Sequence, residues 1–579
     1  MLPLNVSRAL RRLLPFMAWL PHVNRRNLRA DTIAGISVAL VAIPQSLAYA
    51  QLAGLPPQYG LYAALLPTVI GALFGSSAQL STGPVALTSL LTAASIAPLA
   101  AAGSNEYIAL AVATALLSGI FQILFGALRL GVLMNLLSHP VLMGFVHAAA
   151  ILIALSQLPA LVGVTAPTEG TAIMRALRTL GALDEAHALT VGFGAVSILA
   201  LIAFRRFAPR WPGVLVIVAV LTLASYVLGF ADMGGRIVGE IPRGLPGLSV
   251  PDVRWHAWIA LLPSAFAIAV ISFMEAMSSA KIAAVKTASR WNQNQELIGQ
   301  GLAKAAAAFS HTMPVSGSFS RSAINLASHA TTGLSSVVCA ACVLVTLLAF
   351  TPLLRHLPQA VLAGIIIMAL WNLVNLGALR NAWRASPDDA FAALLTFAAT
   401  IAFAPQIQVG IFTGILLSLA LFVYRRMWPR LVVLEPASED LVRELPAEFP
   451  AELRARVALV RFDASLVFVN VSYFEQALLG LESRYPHLRD IVVSAYAINS
   501  LDASGAEMIA NILDGLGKRG IRLVFSGVKP PVRAVLERTG LAARIRAENF
   551  HAGDYAAFQA IAARPSAGGG ELPADRSGS

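Results

Sequence analysis

From residue 33 to residue 426 the chain runs as apolar stretches divided by short polar breaks. A membrane-crossing helix needs roughly 20 apolar residues. Fourteen stretches reach or approach that length: 33–53, 61–76, 84–100, 107–128, 139–157, 189–204, 212–230, 257–280, 294–310, 318–328, 332–352, 358–376, 388–404 and 408–426. The pattern predicts an α-helical polytopic membrane protein with its transmembrane domain over 31–428. After Arg430 charges become frequent and short strands alternate with helices. Val457–Phe462 and Leu466–Val469 read as a hairpin, with further strands at Ile491–Ser494 and Ile521–Phe525. Helices are expected at 472–485, 504–516, 530–539 and 553–563, which makes a small α/β domain over 440–563. The tail 564–579, with its Gly run, has the composition of disorder. At the other end, Phe16, Trp19 and Leu20 among Arg8, Arg11 and Arg12 predict that the arm 1–30 is an amphipathic helix on the cytoplasmic surface.

Composition agrees with a membrane location. Hydrophobic residues make up 57% of the 579 and charged residues only 12%, against about 25% charged in soluble chains. The formal net charge of +12 would suit nucleic acid, but the arginines sit at the ends of apolar runs rather than on one basic face. They report topology, and no nucleic-acid partner is expected. If the N-terminus is cytoplasmic, the inside loops hold Arg205, Arg206, Arg210, Lys281, Lys286, Arg290, Arg380 and Arg384, then Arg425, Arg426 and Arg430. That bias predicts an even number of spans in the inner membrane with both termini cytoplasmic. No secretory signal precedes the first stretch. Cys339 and Cys342 lie inside an apolar run and fall short of the roughly four ligands of a metal site, so they read as small packing residues. The chain shows no nucleotide-phosphate loop, zinc-protease helix or nucleophile elbow. Neither a cofactor nor an enzymatic activity is expected.

Two segments break the apolar pattern with glycine, proline and hydroxyl residues. One runs from Ser81 through Val85 and Ala86 to Thr88, and the other from Pro314 through Ser318, Phe319, Ser320 and Arg321 to Ser322. They open the third stretch of the first seven and the third of the second seven. Matching interruptions in two halves are the sequence sign of a transporter site between inverted repeats. An interrupted helix exposes N–H groups at mid-membrane, and two such N-termini facing each other favour an anion. Arg321 adds a full positive charge. Glu275, in the stretch 257–280, is followed by Ser278 and Ser279 on the same helical face. A carboxylate at that depth is paired, protonated or ion-bound. It reads as a carrier of a coupling proton or cation, or as a static counter-charge to Arg321. Gln45 and Tyr49, one turn apart, can present an amide and a phenol to a ligand or bond between helices. His147 reads as a packing residue.

These segments resemble the sulfate permease (SulP) family of anion transporters. The resemblance rests on Pro44-Gln45 with Tyr49-Ala50, the run Leu55-Pro56-Pro57-Gln58-Tyr59-Gly60-Leu61-Tyr62, Ser81-Thr82-Gly83-Pro84-Val85-Ala86, and Gly317-Ser318-Phe319-Ser320-Arg321-Ser322-Ala323. It implies fourteen spans as two inverted seven-span repeats, split into a core and a gate domain as in uracil permeases, and commonly a homodimer. It also implies that Gln45, Tyr49, Val85, Glu275, Ser320 and Arg321 surround the substrate. Ser279 stands where some relatives offer a hydroxyl to sodium, while Glu275 replaces the aspartate of sodium-coupled bicarbonate carriers. The run Asn499-Ser500-Leu501-Asp502-Ala503-Ser504-Gly505 resembles the strand-to-helix loop of a STAS domain, in which the serine at the Ser504 position is phosphorylated in some members. Asp502 and Ser504 also read as plain helix caps. The expectation is a proton-coupled importer or exchanger of sulfate or another small anion. The alternatives are a sodium–bicarbonate symporter and a membrane-anchored sensor working through the STAS-like domain.

Overall fold

The computed structural model describes residues 14–131, 138–165, 171–208, 211–242, 244–247, 253–371, 374, 376–404, 406–434 and 456–564. Two compact units form, Met1–Ser418 and Leu419–Ser579. Each of the fourteen apolar stretches carries helix. Among the described residues, seven helices are long and apolar enough to cross a membrane unaided, and four shorter apolar ones accompany them.

The first unit is built around helices that we number in chain order as they bear on its central cavity. α1 (Arg25–Leu52) starts where Asn24 accepts the N–H of Asn27 at 2.9 Å, and it contains Pro44. A strand β1 (Ser81–Gly83) leads into α2 (Ala86–Ile96). α3 (Asn105–Ala127) and α4 (His139–Ser156) follow. In the second half α5 (Trp255–Thr287) and α6 (Gln293–Phe309) precede strand β2 (Ser316–Ser318), which leads into α7 (Phe319–Ala327). α2 and α7 hold 11 and 9 residues. At about 1.5 Å per residue they reach roughly half of the ~30 Å that a hydrocarbon core requires.

β1 and β2 pair antiparallel, with Ser81 opposite Ser318, Thr82 opposite Gly317 and Gly83 opposite Ser316. Glycine is needed at the centre of this ribbon. A Cβ on Gly317 would meet Leu80 Cδ1 at 2.8 Å and Ala276 Cβ at 2.9 Å, so only glycine lets β2 lie against α5 beside Glu275.

The N-terminal arm departs from expectation. Its described part forms two short 3-10 turns, Pro15–Ala18 and Leu20–His22, and from Arg25 already belongs to α1, rather than forming one separate amphipathic helix. Pro15 and Pro21 stand at the first and second positions of their turns, and neither can donate within a helix. Arg8, Arg11 and Arg12 lie outside the described residues, as do 440–455 and 565–579.

The second unit has a five-stranded sheet in the order β3-β4-β5-β6-β7: Leu431–Leu434, Val457–Phe462, Asp490–Ser494, Arg522–Ser526 and Phe550–His551. β4 through β7 run parallel and β3 is antiparallel to β4. β4 and β5 are buried almost throughout, as expected of parallel strands covered by helices on both faces. Those helices include α8 (Val471–Arg484), α9 (Ala503–Lys518) and α10 (Asp554–Ala562). The expected hairpin is corrected, since the antiparallel partner of Val457–Phe462 is Leu431–Leu434. Leu466 instead makes a single parallel bridge with Leu501, and the chain turns at 468–470. Asn470 accepts from Val467 N and donates to Ser465 O, both at 3.0 Å, which folds the chain back on itself before α8.

Candidate functional site

The ribbon sets two half-length helices with their N-terminal ends at one place. α2 begins at Val85 without a side-chain cap, so its first N–H groups have no intrahelical acceptor. α7 begins at Ser318, whose hydroxyl accepts the N–H of Arg321 at 3.4 Å and shares a 3.3 Å hydrogen bond with the Ser320 hydroxyl. Both ends carry the partial positive charge of a helix N-terminus.

Hydrogen bonds within the first half and across to the second lock this arrangement. Thr68 donates to Thr82 O at 2.8 Å, and Gln300 Nε2 donates to the Thr82 hydroxyl at 2.8 Å. Ser81 N donates to the Ser322 hydroxyl at 2.9 Å, and Asn325 donates to Gln79 O at 3.3 Å. Arg321 is the largest of these links. It is 1% exposed, its Nη1 donates to Pro84 O at 2.8 Å and its Nε to Ser81 Oγ at 3.3 Å. Nη2 has no hydrogen-bond partner among the described residues. Gly83 makes room for the guanidinium, because a Cβ there would lie 2.9 Å from Nη2.

In front of the two helix ends lies a cavity of about 500 Å³. Gln45 and Tyr49 of α1, Val85 and Ala86 at the head of α2, Glu275 of α5, and Ser318, Phe319 and Ser320 at the head of α7 all line it. Two residues of the expected set stand apart. Arg321 is behind the wall, holding β1 and Pro84, and Ser279 is buried off the lining, where Ser278 takes its place. On α5 the lining runs 275, 278, 282, so the face turns away from 279. Glu275 and Arg321 form no ion pair among the described residues. Among the described residues, Glu275 Oε2 and Gln45 Oε1 on the lining, and the Ser279 hydroxyl off it, are buried without a hydrogen-bond partner. The cavity therefore combines N–H donors suited to an anion with acceptors suited to a proton or cation.

Two features escaped the sequence reading. His139, Leu142, Met143 and Val146 of α4 form one wall, at the i, i+3, i+4, i+7 spacing of a single helix face. His147 is buried next to that face but does not line the cavity. The second feature is Lys304 of α6, fully buried, whose Nζ donates to Gln122 Oε1 at 2.8 Å and Ser272 Oγ at 2.9 Å. Ser272 in turn accepts the Ser316 hydroxyl on its carbonyl at 2.8 Å, linking Lys304 to the ribbon. A lone lysine inside the apolar stretch 294–310 was itself the available signal.

Comparison with known proteins adds to this geometry. The model of the Sulfate permease family matches residues 28–396 and that of the STAS domain matches 448–552. The chain is 31% identical over 539 residues to Sulfate transporter 4.1, chloroplastic, of Arabidopsis thaliana, covering 90% of this chain and 78% of that protein. It is 32% identical over 545 residues to a probable sulfate transporter of Mycobacterium tuberculosis, covering 91% and 95%. Among solved structures, the murine Solute Carrier 26 family member A9 anion transporter in the inward-facing state superposes with a TM-score of 0.85. That match is 20% identical and covers 95% of this chain and 94% of the other, so the two share a fold. The transmembrane domain of a cyanobacterium bicarbonate transporter, BicA, superposes with a TM-score of 0.59 at 26% identity, over 68% of this chain and 98% of the other.

Proposed function

The chain belongs to the sulfate permease family, and from that premise we propose that it is a secondary transporter of small anions, sulfate first among them, working by alternating access. One observation carries the reading: the N-terminal ends of α2 and α7, joined by an antiparallel ribbon, open onto one cavity with the guanidinium of Arg321 behind them. Preorganised N–H groups at helix ends bind anions without adding a mobile charge to the membrane interior. Val85, Ala86, Ser318, Phe319 and Ser320 would bound the anion, with Gln45 and Tyr49 closing it from α1. Glu275, whose Oε2 lacks a partner, would take up a proton as the anion loads, or the protein would run as an exchanger. The relatives named for sulfate transport favour that substrate.

In this reading fourteen spans in two inverted repeats cross the inner membrane of a homodimer, both termini are cytoplasmic, and the core carrying the ribbon moves against the gate. The second unit would regulate transport, with Ser504 in the first turn of α9 as a phosphorylation site.

A second reading, sodium-coupled bicarbonate symport, is favoured by the likeness to the bicarbonate transporter's membrane domain. The unpartnered hydroxyl of Ser279, one turn from Glu275, would add a cation ligand. Uptake of labelled sulfate and bicarbonate into proteoliposomes, under a pH gradient, a sodium gradient or neither, separates the two. Sulfate uptake driven by inward protons and uncoupled by Glu275→Gln supports the first reading. Bicarbonate uptake that follows sodium supports the second, and entry of neither anion rejects both.

A further inference from the structure

The far end of α7 faces a different kind of site. Arg25, Arg26 and Arg29, all exposed in the first turns of α1, line a separate cavity of about 810 Å³ together with Ala30, Ile33, Ser328 and His329. Among the described residues none of the three arginines has a carboxylate within salt-bridge distance. The acid nearest in sequence is engaged elsewhere: Asp31 is buried and accepts Thr331 N at 2.7 Å and the Thr332 hydroxyl at 2.6 Å. The first turn of α1 holds no acidic residue, so the arginines sit at the positive end of the helix dipole. Three guanidiniums thus line one cavity with no carboxylate to balance them, an arrangement suited to an external anion.

The surroundings specify which kind. Arg29, Ile33 and Ile36 follow at four- and three-residue spacing along one helical face, and Ile33 and Ile36 are 52% and 43% exposed. Charge at the helix start thus runs directly into an apolar flank on a membrane helix. A soluble oxyanion would use the arginines alone, whereas a phospholipid uses both surfaces. We infer that this cavity binds the phosphodiester headgroup of an anionic phospholipid, with acyl chains along Ile33 and Ile36. Guanidiniums grip phosphate oxygens in pairs, and basic clusters beside a membrane helix are recognised lipid sites. The headgroup would bridge the start of α1 to Ser328 and His329, at the end of the helix whose head lines the transport cavity. The inference is independent of what the protein transports.

The test uses the full-length protein purified in detergent, with thermal unfolding and native mass spectrometry as readouts. Phosphatidylglycerol is expected to raise the melting temperature and remain bound, because a ligand of the folded state stabilises it. Phosphatidylcholine and inorganic phosphate at equal concentration should do neither. The variant Arg25→Gln/Arg26→Gln/Arg29→Gln should lose the phosphatidylglycerol effect, while Arg205→Gln/Arg206→Gln keeps it. Each arginine removed should weaken lipid binding about fivefold. Retention of the full effect in the triple variant overturns the proposal, as does inorganic phosphate reproducing it in the wild type. If the triple variant is not recovered, Arg29→Gln alone decides, with an unchanged lipid effect counting against the site.

Discussion

Arg321 directs its hydrogen bonds at Ser81 and Pro84, across the two halves, and not at the cavity. Its charge and its fork are thus separable. Arg321→Lys keeps the charge, but one ammonium on a flexible stem cannot replace a planar fork that meets two acceptors. We expect that variant to lose sulfate uptake at least tenfold and to unfold at lower temperature, a destabilisation of about 2–3 kcal/mol, measured by proteoliposome flux and thermal melting. Lys304 poses the complementary question. Lys304→Met removes the donor to Gln122 Oε1 and strands that buried acceptor, at about 1–3 kcal/mol. Uptake that survives at a matched fraction of folded protein would make Lys304 a structural member of the ribbon's support; loss of uptake with an unshifted melting temperature would place it in transport. The sequence pointed to Arg321 through its motif, but a motif carries no direction. Which way a guanidinium points depends on partners 240 and 237 positions away, and no local pattern encodes that.

Among the elements, the two interrupted helices were legible because glycine, proline and serine break an otherwise apolar text, and their matching order in the halves implied a shared site. The ribbon that joins them was not. Strands of three residues each lie below any periodic signal, and pairing is a tertiary event. The hairpin expected in the second unit failed for a related reason: residues 466–469 have strand-like composition, yet Leu466 bridges to Leu501 and Asn470 bonds locally and turns the residues after it. The wall from α4 was legible in principle as a helical face, but in a buried membrane helix every face is apolar and none stands out. The ribbon also yields a prediction. Gly317→Ala would press a methyl group against Leu80 and Ala276, 2.8 and 2.9 Å from the new Cβ, an overpacking cost of about 1–3 kcal/mol. Uptake should fall severalfold while membrane insertion, followed by protease protection, stays normal.

At the scale of the whole molecule, two compact units of different chemistry share one chain, a membrane unit and an α/β unit. If the first transports and the second regulates, removal of 431–579 should leave measurable sulfate uptake, whereas Arg321→Ala should abolish it. The reverse order of severity in flux assays would favour a signalling role for the C-terminal unit. The division of texture near residue 430 was plain in the sequence because charge density changes abruptly there. The ribbon has a further implication for how the chain is made. β1 cannot pair, and Pro84 O cannot receive Arg321, until residues some 237 positions later exist. At about 5–20 residues per second the first half waits roughly 12 to 50 seconds on the ribosome with a polar strand and an uncapped helix end and no mate. Biogenesis of this protein must therefore shelter an unfinished half-site inside the bilayer, and the insertion machinery or a neighbouring helix has to stand in until synthesis of the second half delivers the partner strand.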